Sequence, residues 1–463
     1  MLIGFIIFYL LITILIGWYA SRFVKNSTDF AIAGRRMPTY VVASGLFATW
    51  FGSETVMGAS SEFVENGLLG VIEDPFGASL CLFLLGILFV KPLYKLNILT
   101  FSDYYSMRYN KTAEWVSAIF MIPSYFGWIA AQLIALATVL HAITGLEIIY
   151  GVLICATVVV IYTYIGGMWA VSITDTVQTI MIIIGLLILV AILVSQAGGI
   201  NKIVNSTPDG FFRFIPKENS MVNWSNYFVA WITIGLGSIP QQDVFQRILS
   251  AKTEKTAIKG TYWSSIMYLT IAIIPLIIAL CGKILYPTEI EKNPQLTIPM
   301  LVLQHTNISV QILFFGALLS AILSTCSGAI LAPATVVGEN LLKPLYGSKI
   351  SDKKLLMIMR YSVVLITIVS IGFASWKTEI YELVSESSAL SLVSLFVPLA
   401  AGLYWKKASA LGAILSMVLG MGVWTFFEFY ETPYPSTIWG LMASILGMII
   451  GSYAKPQINK LQL

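Results

Sequence analysis

Residues 48–58 read "ATWFGSETVMG". The apolar stretch "VVASGLF" runs directly into them, so the helix that carries them is entering a membrane when it meets Gly52, Ser53, Glu54, Thr55 and Gly58. Irregular, charged backbone at that depth is costly unless it is shielded from lipid or lines a cavity. A second interruption, "GLGSIPQQD" (235–243), again combines glycines with polar residues and adds a proline. The fold turns on how these two breaks are related.

The membrane setting comes from composition. Hydrophobic residues make up 57% of the 463 and charged residues only 11%, a balance that soluble globular chains do not show. Apolar runs of roughly 20 residues recur along the whole chain. They fall near 2–20, 39–62, 72–94, 114–143, 147–165, 168–196, 224–246, 260–282, 308–337, 354–375, 379–405, 408–429 and 436–454, numbered here as spans 1 to 13. Ten-residue alternation is absent, which argues against a barrel. The two breaks lie in spans 2 and 7, each the first helix of a five-helix unit. An odd number of crossings per unit inverts the second unit relative to the first. The fold class expected is therefore all-α and polytopic, with about thirteen transmembrane helices in a five-plus-five inverted repeat whose first helices are broken. The units would be 39–196 and 224–405, with span 1 and residues 408–463 as additions to one transmembrane domain.

Orientation follows from the basic residues. Of the 27 lysines and arginines, only Lys202, Arg213, Lys217, Lys283, Lys292 and Lys377 fall on one side. The rest, among them Arg22, Arg35, Lys91, Arg108, Arg247, Lys349, Lys406 and Lys460, fall on the other. The expectation is a multi-pass protein of the cytoplasmic membrane with its N-terminus outside and its C-terminus in the cytoplasm. Span 1 lacks a basic leader and is too long for a secretory signal. The net charge of +4 reflects this asymmetry and not a nucleic-acid partner.

Several chemistries fall away. Cys81, Cys155, Cys281 and Cys326 have no paired spacing and read as packing residues. His141 and His305 are too few and too scattered for a metal centre. The Gly282-Lys283 pair lacks the upstream glycine of a phosphate loop, and no nucleophile–base pair suggests an intramembrane enzyme. Gly447 and Gly451 have the spacing of close helix packing. No organic cofactor and no obligatory protein partner is expected. The bilayer is the partner expected at this point, and binding and ion gradients are left to do the work.

Span 9 carries "GALLSAILSTCSGAIL" (316–331), in which Ala321, Ser324 and Thr325 share one face. Two hydroxyls with carbonyls loosened at Ser53 and Val56 would suit a hard cation such as sodium. Serine and threonine in membrane helices also bond their own carbonyls, so the pattern alone leaves both readings open. Span 6 carries Asp175 with no lysine or arginine near it in sequence. An intramembrane carboxylate is a functional candidate by default.

Together, "YIGGMWAVSITDTVQ", "ILSTCSGAIL", "QQDVFQRILSAKTEKTAIKG" and "GSETVMG" resemble, in order, the sodium:solute symporters. The resemblance covers nearly the whole chain. It implies the same inverted-repeat fold and an ion site formed by the Ser53, Val56 and Ala321 carbonyls with the Ser324 and Thr325 hydroxyls. Some members hold a second sodium through the span-6 aspartate and further span-9 serines. Asp175, Ser324 and Ser327 match that set, while Gly328 stands where a hydroxyl would be.

The solute is less legible. The breaks look most like the choline-transporter branch, in which Trp50 matches a cation-binding aromatic, but Gln241 stands in place of another cage tryptophan. The proline branch has an aspartate at Thr55 and a tyrosine at Leu236. Tryptophan faces bind ammonium groups well, so Trp50, Glu54, Glu73, Asp74, Trp128 and Gln241 are the candidate solute residues. The expectation is sodium-coupled import of a choline-like or zwitterionic amine by alternating access. Proline-type, sugar and carboxylate solutes remain alternatives. A passive channel or a membrane sensor module is the rival class.

Overall fold

A computed structural model describes residues 1–285, 287, 297–346, 350–375, 379–430 and 432–457. Lys292, Lys349, Lys377 and Lys460, which enter the charge asymmetry, lie outside the described residues, as does the side chain of His305. The protein is all-helical. Among the described residues the only β contact is an isolated bridge between Met37 and Ala251.

Among the described residues, ten continuous helices are long and apolar enough to cross a membrane. The three further spans are hidden by breaks and by one junction. Span 2 enters as Thr39–Trp50 and resumes as Glu54–Gly58 and Ala59–Asn66, so its first half is too short to count alone. Span 7 divides into Met221–Gly237 and Gln242–Ser250. Spans 5 and 6 are joined in Ile148–Gln196, whose 49 residues exceed twice the length that crosses a bilayer once. Their junction is Gly167, at φ 49° and ψ −145°. A Cβ there would lie 2.4 Å from Cδ2 of Phe30, so position and neighbour both require glycine.

The packing explains why the breaks are tolerated. The first half of span 2 lies against span 8 (Glu254–Ile271), span 6 and span 9 (Ile308–Val336). Span 7 packs on the turn Ile72–Gly77 and on span 11 (Ile380–Ser391). Each irregular segment is thus enclosed by other helices and kept from lipid, as its unpaired backbone demands. Span 1 instead turns Ile3, Ile7, Phe8, Leu11 and Leu15 outward, an apolar face matched to lipid tails.

Spans 12 and 13 (Ala410–Phe429 and Ser436–Ala454) pair at the periphery. A Cβ on Gly451 would fall 2.6 Å from the Gly412 Cα, so the glycine spacing serves close backbone approach. All four cysteines are buried and unpaired.

Candidate functional site

The break in span 2 begins where Phe51 leaves helical geometry (φ −75°, ψ 73°). The Gly52 amide folds back onto the Trp50 carbonyl at 2.8 Å, and the Ser53 amide donates to the Gln132 side-chain oxygen at 3.1 Å. Span 4 (Ser124–Thr144) therefore supplies a partner that the broken helix has lost. A Cβ on Gly52 would lie 2.7 Å from both Gln132 Oε1 and Thr325 Oγ1, and 2.9 Å from Glu54 Oε2. Three elements converge on this spot, and a side chain there would push their polar ends apart.

A small cavity lies between the two breaks. Trp50, Trp128 and Tyr268 supply aromatic walls, and Glu54 and Asp74 supply carboxylates. Gln241, Ser238 and Ser388 add polar groups; Ala78, Ile234 and Val384 complete the lining. Among the described residues no lysine, arginine or histidine borders it. The Glu54 carboxylate is held by the Gln132 amide at 2.7 Å and the Trp128 indole N–H at 3.2 Å. Thr55 Oγ1 reaches Asp74 Oδ2 and the Tyr268 hydroxyl, each at 2.7 Å. The Tyr268 ring stands edge-on to Trp50 at 6.5 Å. Trp50 itself is only 4% exposed, so its ring is packed within the core beside the cavity.

Of the six candidate solute residues, five border this cavity. Glu73 does not. The backbone is non-helical at Asp74 (φ −138°, ψ 118°), and here Asp74 faces inward while Glu73 is placed near Ser385 of span 11.

Beside the cavity, span 9 presents its hydroxyls to the first half of span 2. Thr325 donates to the Ala48 carbonyl at 3.0 Å, and Ser324 approaches the same oxygen at 3.4 Å. Ser324 also makes a short hydrogen bond to the Asp175 carboxylate. Ala321 is buried one turn away on the same face. The resulting group of hydroxyl, carbonyl and carboxylate oxygens is a donor set suited to sodium. Ser53 and Val56 lie in the break that Thr325 touches through Gly52, and both are buried. Ser327 differs: its hydroxyl returns to the Ser324 carbonyl of its own helix at 2.9 Å.

Asp175 has a basic partner that sequence proximity did not reveal. Arg247 Nη2 lies 3.2 Å from Asp175 Oδ2, and the two side chains are 1% and 0% exposed. Arg247 belongs to the second half of span 7, so it is a buried element of the core and not a charge of the inner loop. It also explains Gly328. A Cβ there would sit 2.5 Å from Arg247 Nη2, so the position read as a missing hydroxyl is the seat of the guanidinium.

Gln132, Tyr268 and Arg247 are the residues that sequence reasoning missed. Gln132 had a signal, as the lone amide in the apolar run "IAAQLIALA". Arg247 was masked by its place among the loop cations, and Tyr268 is one of 22 tyrosines with nothing local to mark it.

At one end of the bundle, Asn340 ties the end of span 9 to the segment after span 3. It donates to Asp103 at 2.8 Å and Glu114 at 3.0 Å, and accepts from Thr100 at 2.7 Å. Gln242, at the start of the second half of span 7, accepts from the Phe101 amide at 2.7 Å.

Comparison with known proteins agrees with this architecture. The Sodium:solute symporter family model matches residues 30–420. The chain is 26% identical to a high-affinity choline transporter of Drosophila melanogaster, over 91% of this chain and 70% of that protein. It is 26% identical to a sodium/pantothenate symporter of Haemophilus influenzae, over 98% and 96%. It is 24% identical to a sodium/glucose cotransporter of Vibrio parahaemolyticus, over 92% and 85%. Among solved structures, a substrate-bound outward-open Na+-coupled sialic acid symporter superimposes with a TM-score of 0.84 at 18% identity, covering 99% of each chain. At that identity the match speaks for the fold alone.

Proposed function

Since the chain belongs to the sodium:solute symporter family, we propose that it couples the inward movement of sodium to import of a small amine-bearing solute by alternating access. The observation that carries this reading is the cavity between two broken helices, with two carboxylates and three aromatic rings and no basic side chain in its lining among the described residues. Such a lining suits a positively charged group and disfavours an anion.

In this reading the Ser324 and Thr325 hydroxyls and the Ser53, Val56 and Ala321 carbonyls hold sodium. Trp50, Glu54, Asp74, Trp128 and Gln241 hold the solute. The Asp175–Arg247 pair is supporting structure that leaves no free charge for a second ion. The repeat units 39–196 and 224–405 rock about this centre, in a cytoplasmic membrane with the N-terminus outside. One sodium ion moving down 100 mV yields ~2.3 kcal/mol, enough to hold a solute gradient of roughly fiftyfold.

The experiment is uptake into vesicles from a panel of labelled amines, amino acids, sugars and carboxylates, with and without an imposed sodium gradient. Accumulation of an amine that collapses without the gradient is expected. Equal fluxes in both conditions would identify a channel and end the coupling proposal.

A further inference from the structure

The relatives carry solutes as different as choline, pantothenate and glucose, so their names do not select a head group. The cavity itself does. Resting on the symport reading above, we infer that the solute's ammonium keeps at least one N–H, as in a protonated primary, secondary or tertiary amine, and that Asp74 Oδ1 accepts a hydrogen bond from it.

Asp74 borders the cavity and is 1% exposed. Its Oδ2 accepts from Thr55, yet its Oδ1 has no hydrogen-bond partner among the described residues. The Tyr268 hydroxyl lies beside the Asp74 carboxylate and also bonds Thr55 and the Trp50 carbonyl, so it does not serve Oδ1 alone. A buried carboxylate oxygen without a donor is costly, and the cavity is the space from which a donor can come.

Glu54 is not equivalent. Both of its oxygens already accept, one from Trp128 and the other from Gln132. It contributes charge without demanding a further donor. With no basic residue in the lining among the described residues, two carboxylates face one sodium ion, and a singly charged cation completes the balance.

The aromatic rings do not discriminate further. Trp50 and Trp128 would attract any ammonium group, methylated or not. Asp74 does discriminate. A quaternary ammonium presents only methyl groups to Oδ1 and keeps that acceptor unsatisfied, while one N–H satisfies it with a charge-assisted bond.

The test compares choline with N,N-dimethylethanolamine and ethanolamine, which share the hydroxyethyl chain and differ in N-methylation. Binding to the purified full-length protein in lipid nanodiscs is measured by tryptophan fluorescence at saturating sodium. The dimethyl and unmethylated cations should bind about tenfold or more tightly than choline. In Asp74→Asn that preference should shrink severalfold, because the bond loses its ionic acceptor. The preference, a ratio within one protein, is insensitive to a general loss of fold. Choline binding as well as dimethylethanolamine in the wild type would overturn the inference, as would a preference unchanged in Asp74→Asn. If no cation of the series binds while sodium still raises the thermal midpoint, the head-group inference falls and sodium coupling stands. If sodium has no effect either, the symport reading falls with it.

Discussion

Trp50 closes the first half of span 2 and faces the cavity with its ring, while the backbone just beyond it turns toward span 9. In the proposed reading, solute and ion contacts are thereby divided between side chain and main chain. Trp50→Ala should weaken binding of a cationic solute by roughly thirtyfold, the equivalent of a desolvated cation–π contact of about 2 kcal/mol. Apparent sodium affinity should change far less. Trp50→Phe should recover part of the loss, and equally poor binding by Ala and Phe would reduce the ring to packing. Ser324→Ala combined with Thr325→Ala should abolish sodium-driven uptake in a protein that still inserts and folds. Wild-type sodium affinity in that variant would remove both hydroxyls from the ion site. Arg247→Gln leaves Asp175 buried without its partner, a change that costs about 3–5 kcal/mol in comparable pairs. Its thermal midpoint should drop sharply, and adding Asp175→Asn should restore much of it. Equal midpoints for the single and double variants would show that the pair does not hold the core.

The broken helices were legible because glycine and proline interrupt apolar runs at matching places, and the inverted arrangement followed from counting crossings. The partners of the breaks were not legible. Gln132 lies 79 residues from Ser53 and Arg247 lies 72 from Asp175, distances over which local periodicity carries no information. Glu73 and Asp74 could not be separated either, because the non-helical geometry at Asp74 (φ −138°, ψ 118°) sets which of the two turns inward. Gly52 shows what an element-level defect would do. Gly52→Ala would drive a methyl group into Gln132, Thr325 and Glu54 together. Sodium and solute affinity should therefore fall in concert, measured by sodium-induced thermal stabilisation and by solute binding. Loss of one with the other intact would mean that the break does not couple the two sites.

At the scale of the whole molecule, the inner ends of span 9 and span 7 are both fastened to the segment 98–114, through Asn340 and Gln242. Asn340→Ala removes three of these bonds and leaves Asp103 and Glu114 without that donor. The inward-facing arrangement should gain population, seen as faster labelling of a cysteine introduced in the inner pathway and a weaker apparent sodium affinity. Unchanged labelling would assign Asn340 to static packing. The lining described above, acidic and without basic residues, also has an electrical consequence. In the proposed reading, and with Glu54 and Asp74 both ionised, a site holding one sodium ion and one monovalent cation is neutral overall, whereas the vacated site carries their two negative charges. The resting potential, worth ~2.3 kcal/mol per elementary charge across 100 mV, then has little purchase on the filled carrier and pulls the vacated one back toward the outside. Hyperpolarisation should speed the return stroke of the cycle and leave the delivery stroke nearly untouched, so that turnover under saturating solute becomes a readout of membrane voltage.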